Sequence, residues 1–411
     1  MKKFVYLCGM MLLSLNMMAQ VDLNDGWSNI LDEQFTGMGR GWDSRFREQR
    51  PSWIPVDSAW TPIWCVNEIE SKLGVTKPDF FHAYQCSNTL FNNGILMDDK
   101  LRLVAECVSN NPLQCDGIRP WGYELPKPEW HECGTDKNYI FYYTGNIQSH
   151  KQSYHYGYYE IECALPIHSG IHTSFWLFGG YKDTIAGIKR YEEIDIMEYS
   201  KEDWDYYDTL RGYSSGIWFK QQNINDSLPL DHYGYKRFHM KESEPDISHM
   251  HIYGCEWMPD HVVFYRDGKV THELHDEEQI PKYPKYIKTG YTIDSYAVRK
   301  VHDSLYFPKW LGPDTLTINY IKVYKLKTDC KSDAYAQNTQ QMNQIDSMKR
   351  SITISNPNGI VLPSTTEKTL RASDYILIDG PFEVDAGAQL TLMVHECPEY
   401  DNRDYIEYNN P

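Results

Sequence analysis

The chain has 411 residues, 41% of them hydrophobic and 14% aromatic, and a formal net charge of −17. That length accommodates one large β domain with a smaller appendage. The acidic balance, without any cluster of Lys and Arg, excludes a nucleic-acid footprint and suits a neutral substrate better than a strongly anionic one.

In chain order, Lys2 and Lys3 precede an apolar run from Phe4 to Leu15, and Ala19-Gln20 offers a cleavage point. Residues 1–20 therefore read as a signal peptide, too short to span a bilayer. Export is expected, to the periplasm, the cell surface or the medium, with no integral membrane segment. Ten cysteines include Cys8, which leaves an odd nine in the mature chain. Cys107 and Cys115, with Cys133 nearby, could bridge a long loop, but spacing alone assigns no connectivity. No pair has the Cys-x-x-Cys spacing of a zinc site.

Pro- and Gly-rich connections are expected at 36–64 and 109–137, and Leu101 to Ala105 alternates as a strand after an Asp98-Asp99 turn. Trp121 lies in the second connection, where it could stack on a sugar or serve structure. Tyr156 to Pro166 and Thr173 to Gly180 read as aromatic-rich strands, with Trp176 sharing a face with Ser174 and Phe178. His168 and His172 stand four apart, yet Gly170 and the β context defeat the helical geometry of a zinc pair. Both are expected in a loop. His251 to Trp257 and Val262 to Tyr265 continue the strand pattern, and no sustained helical periodicity appears anywhere. Many short strands with long loops predict a sandwich of two antiparallel sheets.

The most informative stretch is Glu192-Glu193-Ile194-Asp195-Ile196-Met197-Glu198-Tyr199. Acidic residues alternating with Ile commonly mark only the solvated face of a strand. Three carboxylates crowded in one apolar strand are otherwise unfavourable, because buried like charges repel and lose hydration. On a regular strand Glu193 and Asp195 share a face and Glu198 turns to the other. One extra residue near Ile196-Met197, a β-bulge, returns Glu198 to the face of its partners. Two carboxyl groups so placed, roughly 5 to 5.5 Å apart, are what a retaining glycosidase uses as nucleophile and acid/base.

Glu193 to Glu198 resembles the signature of glycoside hydrolase family 16 in its bulged form. Tyr143 to His150 followed by Tyr156 to Glu160, then His251 to Asp260 with Val263 to Gly268, and Tyr320 to Tyr324 resemble that family's other strands in the same order. The resemblance spans roughly residues 25–325. It implies a concanavalin A-like β-jelly roll with an open cleft on a concave sheet, and an endo-acting enzyme. Carried over by position, Glu193 is the nucleophile, Glu198 the acid/base, and Asp195 positions and tunes the nucleophile. Trp176 borders the cleft as a sugar platform. Trp218 falls where many members place a histidine near the acid/base, a departure that bears on the subsites beside the scissile bond. No cofactor is required. Many relatives hold a structural calcium, but Asn319 stands here where an aspartate is usual.

The expected domains are the catalytic jelly roll over 21–328, a polar linker over 329–349, and a small β module over 350–411. The last resembles small β-stack modules at the ends of exported proteins of the Bacteroidetes type. The expected function is cleavage of internal β-linkages in a polysaccharide by a monomer, with β-1,3- or mixed-linkage glucan as substrate. A β-galactanase acting on agar, porphyran, carrageenan or mucin-type glycans is the alternative. A non-catalytic glycan-binding protein on the same sandwich is the reading from a different class.

Overall fold

The computed structural model describes residues 6–7, 23, 25–34, 60–62, 82–84, 89–90, 100–107, 142–144, 146–149, 153–166, 171–183, 188–200, 213–223, 232–239, 247–276, 278–293 and 314–400. Most of the connections expected at 36–64 and 109–137, with Trp121, Cys115, Cys133 and His168, lie outside the described residues.

Among the described residues the architecture is nearly all β, a jelly-roll sandwich. Its strands are β1 (Trp27–Glu33), β2 (Leu101–Cys107), β3 (Asn146–Ser149), β4 (Gly157–Ala164), β5 (Ile171–Asp183), β6 (Ile188–Ser200) and β7 (Ser214–Asn223). They continue with β8 (His232–His239), β9 (His251–Trp257), β10 (Val262–Arg266), β11 (Lys269–Leu274), β12 (Tyr286–Ile293) and β13 (Asp314–Leu326). One antiparallel sheet runs β8-β7-β6-β5-β12-β3, ending on the short strand Trp60–Pro62. The larger sheet runs β11-β10-β9-β4-β13-β2, with β1 also paired to β13.

Period-two alternation explains why these segments pair and pack as they do. Phe175, Leu177, Ile194, Ile217 and Ile287 of the first sheet meet Tyr159, Ile161, Tyr253, Phe264, Leu316 and Val323 of the second in one buried core. The opposite face of the first sheet is left for polar side chains, and the active-site candidates stand there.

The stretch 329–349 departs from expectation. It holds β14 (Thr328–Ala336) and a short helix α1 (Thr339–Asn343), with β15 (Met348–Ser355) following directly. Its polarity comes from an edge strand whose side chains are mostly exposed, so composition mimicked a linker. Beyond it come β16 (Ile360–Leu362), β17 (Glu367–Asp379), β18 (Phe382–Val384) and β19 (Gln389–Val394). β14, β15, β17 and β19 make one parallel sheet, and β16 pairs in parallel with β18. The chain coils from one sheet to the other, and Ile352, Ile354, Ile360, Leu362, Leu370 and Ile376 fill the interior. Gly380, at φ +114°, makes one corner, where a Cβ would meet the Asn356 carbonyl at 2.6 Å.

This module is docked against the larger sheet, on the face turned away from the sandwich core. Tyr158, Val263, Tyr265 and Tyr324 on that face pack with Trp27, Leu326 and Met348, and with the disulfide-bonded Cys330 and Cys397. Lys368 Nζ donates to Asp25 at 2.8 Å, and Tyr400 Oη donates to the Leu326 carbonyl at 2.9 Å. His261, nearly buried, lies 2.9 Å from Asp260 and 3.4 Å from Glu256, while the Glu396 amide donates to Asp260 at 2.6 Å. Burial alone would lower the His261 pKa; the hydrogen bonds and charges of Asp260 and Glu256 outweigh it and raise it to about 9.

Candidate active site

β6 carries the site, and a bulge shapes it. Against β5, Phe175 pairs with Met197 and Trp176 with Asp195, which leaves Ile196 as an extra residue. Against β7, Asp195 pairs with Gly216 and Glu198 with Ser214, so Ile196 and Met197 together oppose Ser215. The Ser215 hydroxyl donates to the Ile196 carbonyl at 2.7 Å, which satisfies a group that the ladder leaves unpaired. Ile196 and Met197 are consecutive, yet both are buried in the sandwich core. That double step returns Glu198 to the face of Glu193 and Asp195. The kink expected at this place is present.

The neighbouring strands complete the row. On β5, Ser174 stands opposite Glu198, Trp176 opposite Asp195 and Phe178 opposite Glu193. On β7, Trp218 stands opposite Glu193 and Gly216 opposite Asp195. Trp176 and Phe178 are partly exposed and in edge contact, with ring centroids 5.4 Å apart. Trp176 is therefore on the carboxylate face and not in the core. Trp218 shares that face but sits beside Glu193, at the end of the row away from Glu198.

Two basic residues at the site escaped the sequence reading. Lys288 of β12, opposite Trp176, is 5% exposed, and its ammonium lies 4.8 Å from the Trp176 ring centre and 4.7 Å from that of Phe178. His172, expected in a loop, is on β5, and its Nε2 lies 3.5 Å from Glu198 Oε1. The alternation His172, Ser174, Trp176, Phe178 places it on the carboxylate face, a signal that the search for a helical zinc pair obscured. The Lys288 position had no such signal, since one Lys in an apolar strand names no partner.

Burial pushes the Glu193 carboxyl above its ordinary range, and the Glu198 charge adds to this. A hydrogen bond from Asp195 and the positive charges of Lys288 and His172 pull it back. Glu193 therefore holds a proton more readily than an isolated carboxyl.

Glu192 and Lys285 behave differently. Both are fully buried on the other face, with Lys285 Nζ donating to Glu192 at 2.8 Å and the Lys282 and Tyr283 amides donating at 2.9 and 3.1 Å. Arg190 Nε lies 2.8 Å from the second oxygen, at an angle that makes it an ion pair without a hydrogen bond. This pair is structural.

Among the described residues, no group of three His, Cys, Asp or Glu is placed to hold a metal ion. Asn319, at the position implied for calcium, donates to Glu162.

Residues 129–297 match the sequence profile of Glycosyl hydrolases family 16. The chain is 24% identical over 196 residues to Glucan endo-1,3-beta-glucosidase A1 of Niallia circulans, a stretch covering 46% of this chain and 27% of that protein. It is 30% identical over 128 residues to Beta-glucanase of Acetivibrio thermocellus, covering 31% of each. The chain thus spans about a third or less of the length of these curated relatives. The solved catalytic domain of an endo-1,3-beta-glucanase (laminarinase) from Thermotoga petrophila RKU-1 is 19% identical with a TM-score of 0.45, covering 74% of this chain and 100% of that one. Residues 129–297 of the chain thus resemble glycosyl hydrolase family 16.

Proposed function

We propose that the protein is an exported, retaining endo-glycoside hydrolase that cuts internal β-linkages of a β-1,3- or mixed-linkage glucan. The observation that carries this reading is the bulge at Ile196-Met197, which gathers Glu193, Asp195 and Glu198 on one face. In the first half-reaction Glu198 gives its proton to the glycosidic oxygen as that C–O bond breaks, and the Glu193 carboxylate bonds to the anomeric carbon from the opposite face. Asp195 holds Glu193 by the hydrogen bond between them. In the second, Glu198 takes a proton from water, whose oxygen displaces Glu193 and restores it. Trp176 supplies a ring on which a sugar can stack, and Trp218 flanks Glu193 on its other side.

The relatives at hand that act on glucans and the acidic net charge support a neutral polymer. The apolar N-terminal run and the disulfide support export to an oxidising compartment. Lys288 favours a second reading, a galactan carrying anionic groups, because it puts a fixed positive charge in the row beside the rings.

The decisive experiment is NMR of the first-formed product from laminarin, lichenan, agarose, porphyran, carrageenan and mucin O-glycans. Retention of anomeric configuration on a β-glucan is expected. An inverted first product would refute the double displacement, and cleavage confined to galactans would transfer the substrate to the second reading.

A further inference from the structure

Glu198 is flanked on β5 by a base that the mechanism above does not use. His172 and Glu198 are diagonal neighbours on one face, since Ser174 stands opposite Glu198 and His172 opposite Ser200. Their side chains are 29% and 20% exposed, and Nε2 approaches Oε1 to 3.5 Å. A contact of that length in a protein without substrate is one that can tighten into a hydrogen bond when a sugar displaces water. The other end of the row differs: there Lys288 is only 5% exposed and stacked on rings. A permanently buried cation suits a group that must stay ionised. An imidazole open to water suits a group that must lose and regain a proton in each turnover.

We infer that His172 is the positioning residue of Glu198, its Nε2–H holding Oε1 so that the other carboxyl oxygen points at the glycosidic oxygen. A neutral imidazole suffices. It donates to the carboxylic acid before proton transfer and to the carboxylate afterwards, so the same hydrogen bond serves both half-reactions and strengthens as negative charge develops. On the β7 side the residues across from the row are Trp218, Gly216 and Ser214.

This inference rests on the hydrolase reading, and the test separates the two. His172→Phe and His172→Gln are assayed on the polysaccharide the wild type cleaves and on a dinitrophenyl oligosaccharide, whose leaving group needs no acid. His172→Phe is expected to lower kcat on the polysaccharide about 10- to 100-fold, a part of the roughly 100- to 10,000-fold that general acid–base catalysis contributes. KM should stay within about twofold, formation of the glycosyl-enzyme from the dinitrophenyl substrate should be nearly unchanged, and His172→Gln, which keeps an N–H donor, should recover part of the loss. The pH profile of kcat/KM should move in His172→Phe. Charged or titratable residues at neighbouring register positions are Glu193 and Asp195 of β6, Lys288 of β12, and Arg237 and His239 of β8, the last two paired with Gly216 and Ser214. A rise in KM with kcat intact would make His172 a sugar contact and overturn the inference. Equal losses on both substrates with an unmoved pH profile would overturn it as well, leaving hydrolysis standing. A wild type that releases no oligosaccharide would sink the hydrolase reading and this one with it.

Discussion

Glu192 and Glu193 are adjacent on one strand and face opposite ways, and the contrast between them separates structure from chemistry. Glu192 points into the sandwich and meets Lys285, Arg190 and two backbone amides, so its charge is compensated on every side. Glu193 points outward into a row that holds two more carboxyls, with Lys288 and His172 only partly offsetting them. Burial of a charge is tolerable when partners are built around it and unfavourable when neighbours share its sign. A fold retains the second arrangement where function requires it.

The sharpest way to break that comparison is to neutralise Glu193. Glu193→Gln is expected to lower kcat at least about 1,000-fold, with polysaccharide binding retained and the melting temperature unchanged or raised, because a repulsion is relieved. A variant that still turns over would remove the nucleophile assignment. A wild type that binds polysaccharide but releases no oligosaccharide would favour a glycan-binding protein.

Lys285→Met tests the opposite face. It strands Glu192 in the core with Arg190 as its remaining cation, and urea unfolding should register a loss of about 3 to 5 kcal/mol while kcat per folded molecule stays put. A loss below about 1 kcal/mol, the value of an exposed pair, would show that this pair contributes no more than a surface one.

The smallest effect is expected where the C-terminal module meets the larger sheet. His261 is raised from 6.5 to about 9, so the stability it contributes is complete below pH 6.5 and disappears as the pH climbs through about 9. Glu256 and Asp260 are both held at about 2: burial would raise them, and their His261 contacts outweigh it. Their contribution is complete above their ordinary values and is lost as the pH falls towards 2. Melting curves of wild type between pH 6 and pH 10 should therefore slope downward by on the order of 3 kcal/mol, and His261→Gln should flatten that slope. An equal slope in the variant would place the titration elsewhere.

Much of the site was legible before any fold was known, because its chemistry is confined to one strand. The spacing of Glu193, Asp195 and Glu198 itself demands an extra residue between the last two, and Ile196-Met197 supplies it. Alternation likewise placed Trp176 on the correct face. The polar stretch 329–349 misled because an exposed edge strand and a linker share a composition. His172 misled because its spacing from His168 was measured against a helix.

Sequence alone thus determined the sheet-rich class and the carboxylate row, since periodicity and bulges are written in adjacent residues. Tertiary structure decided the rest. Lys288 reaches the row, Lys285 reaches Glu192, and Cys330 and Cys397 join with the His261 cluster to seat the C-terminal module. Each of these contacts spans scores of residues. Local pattern carries no record of which distant charge will cancel which, because that depends on strand order and on which faces are brought together.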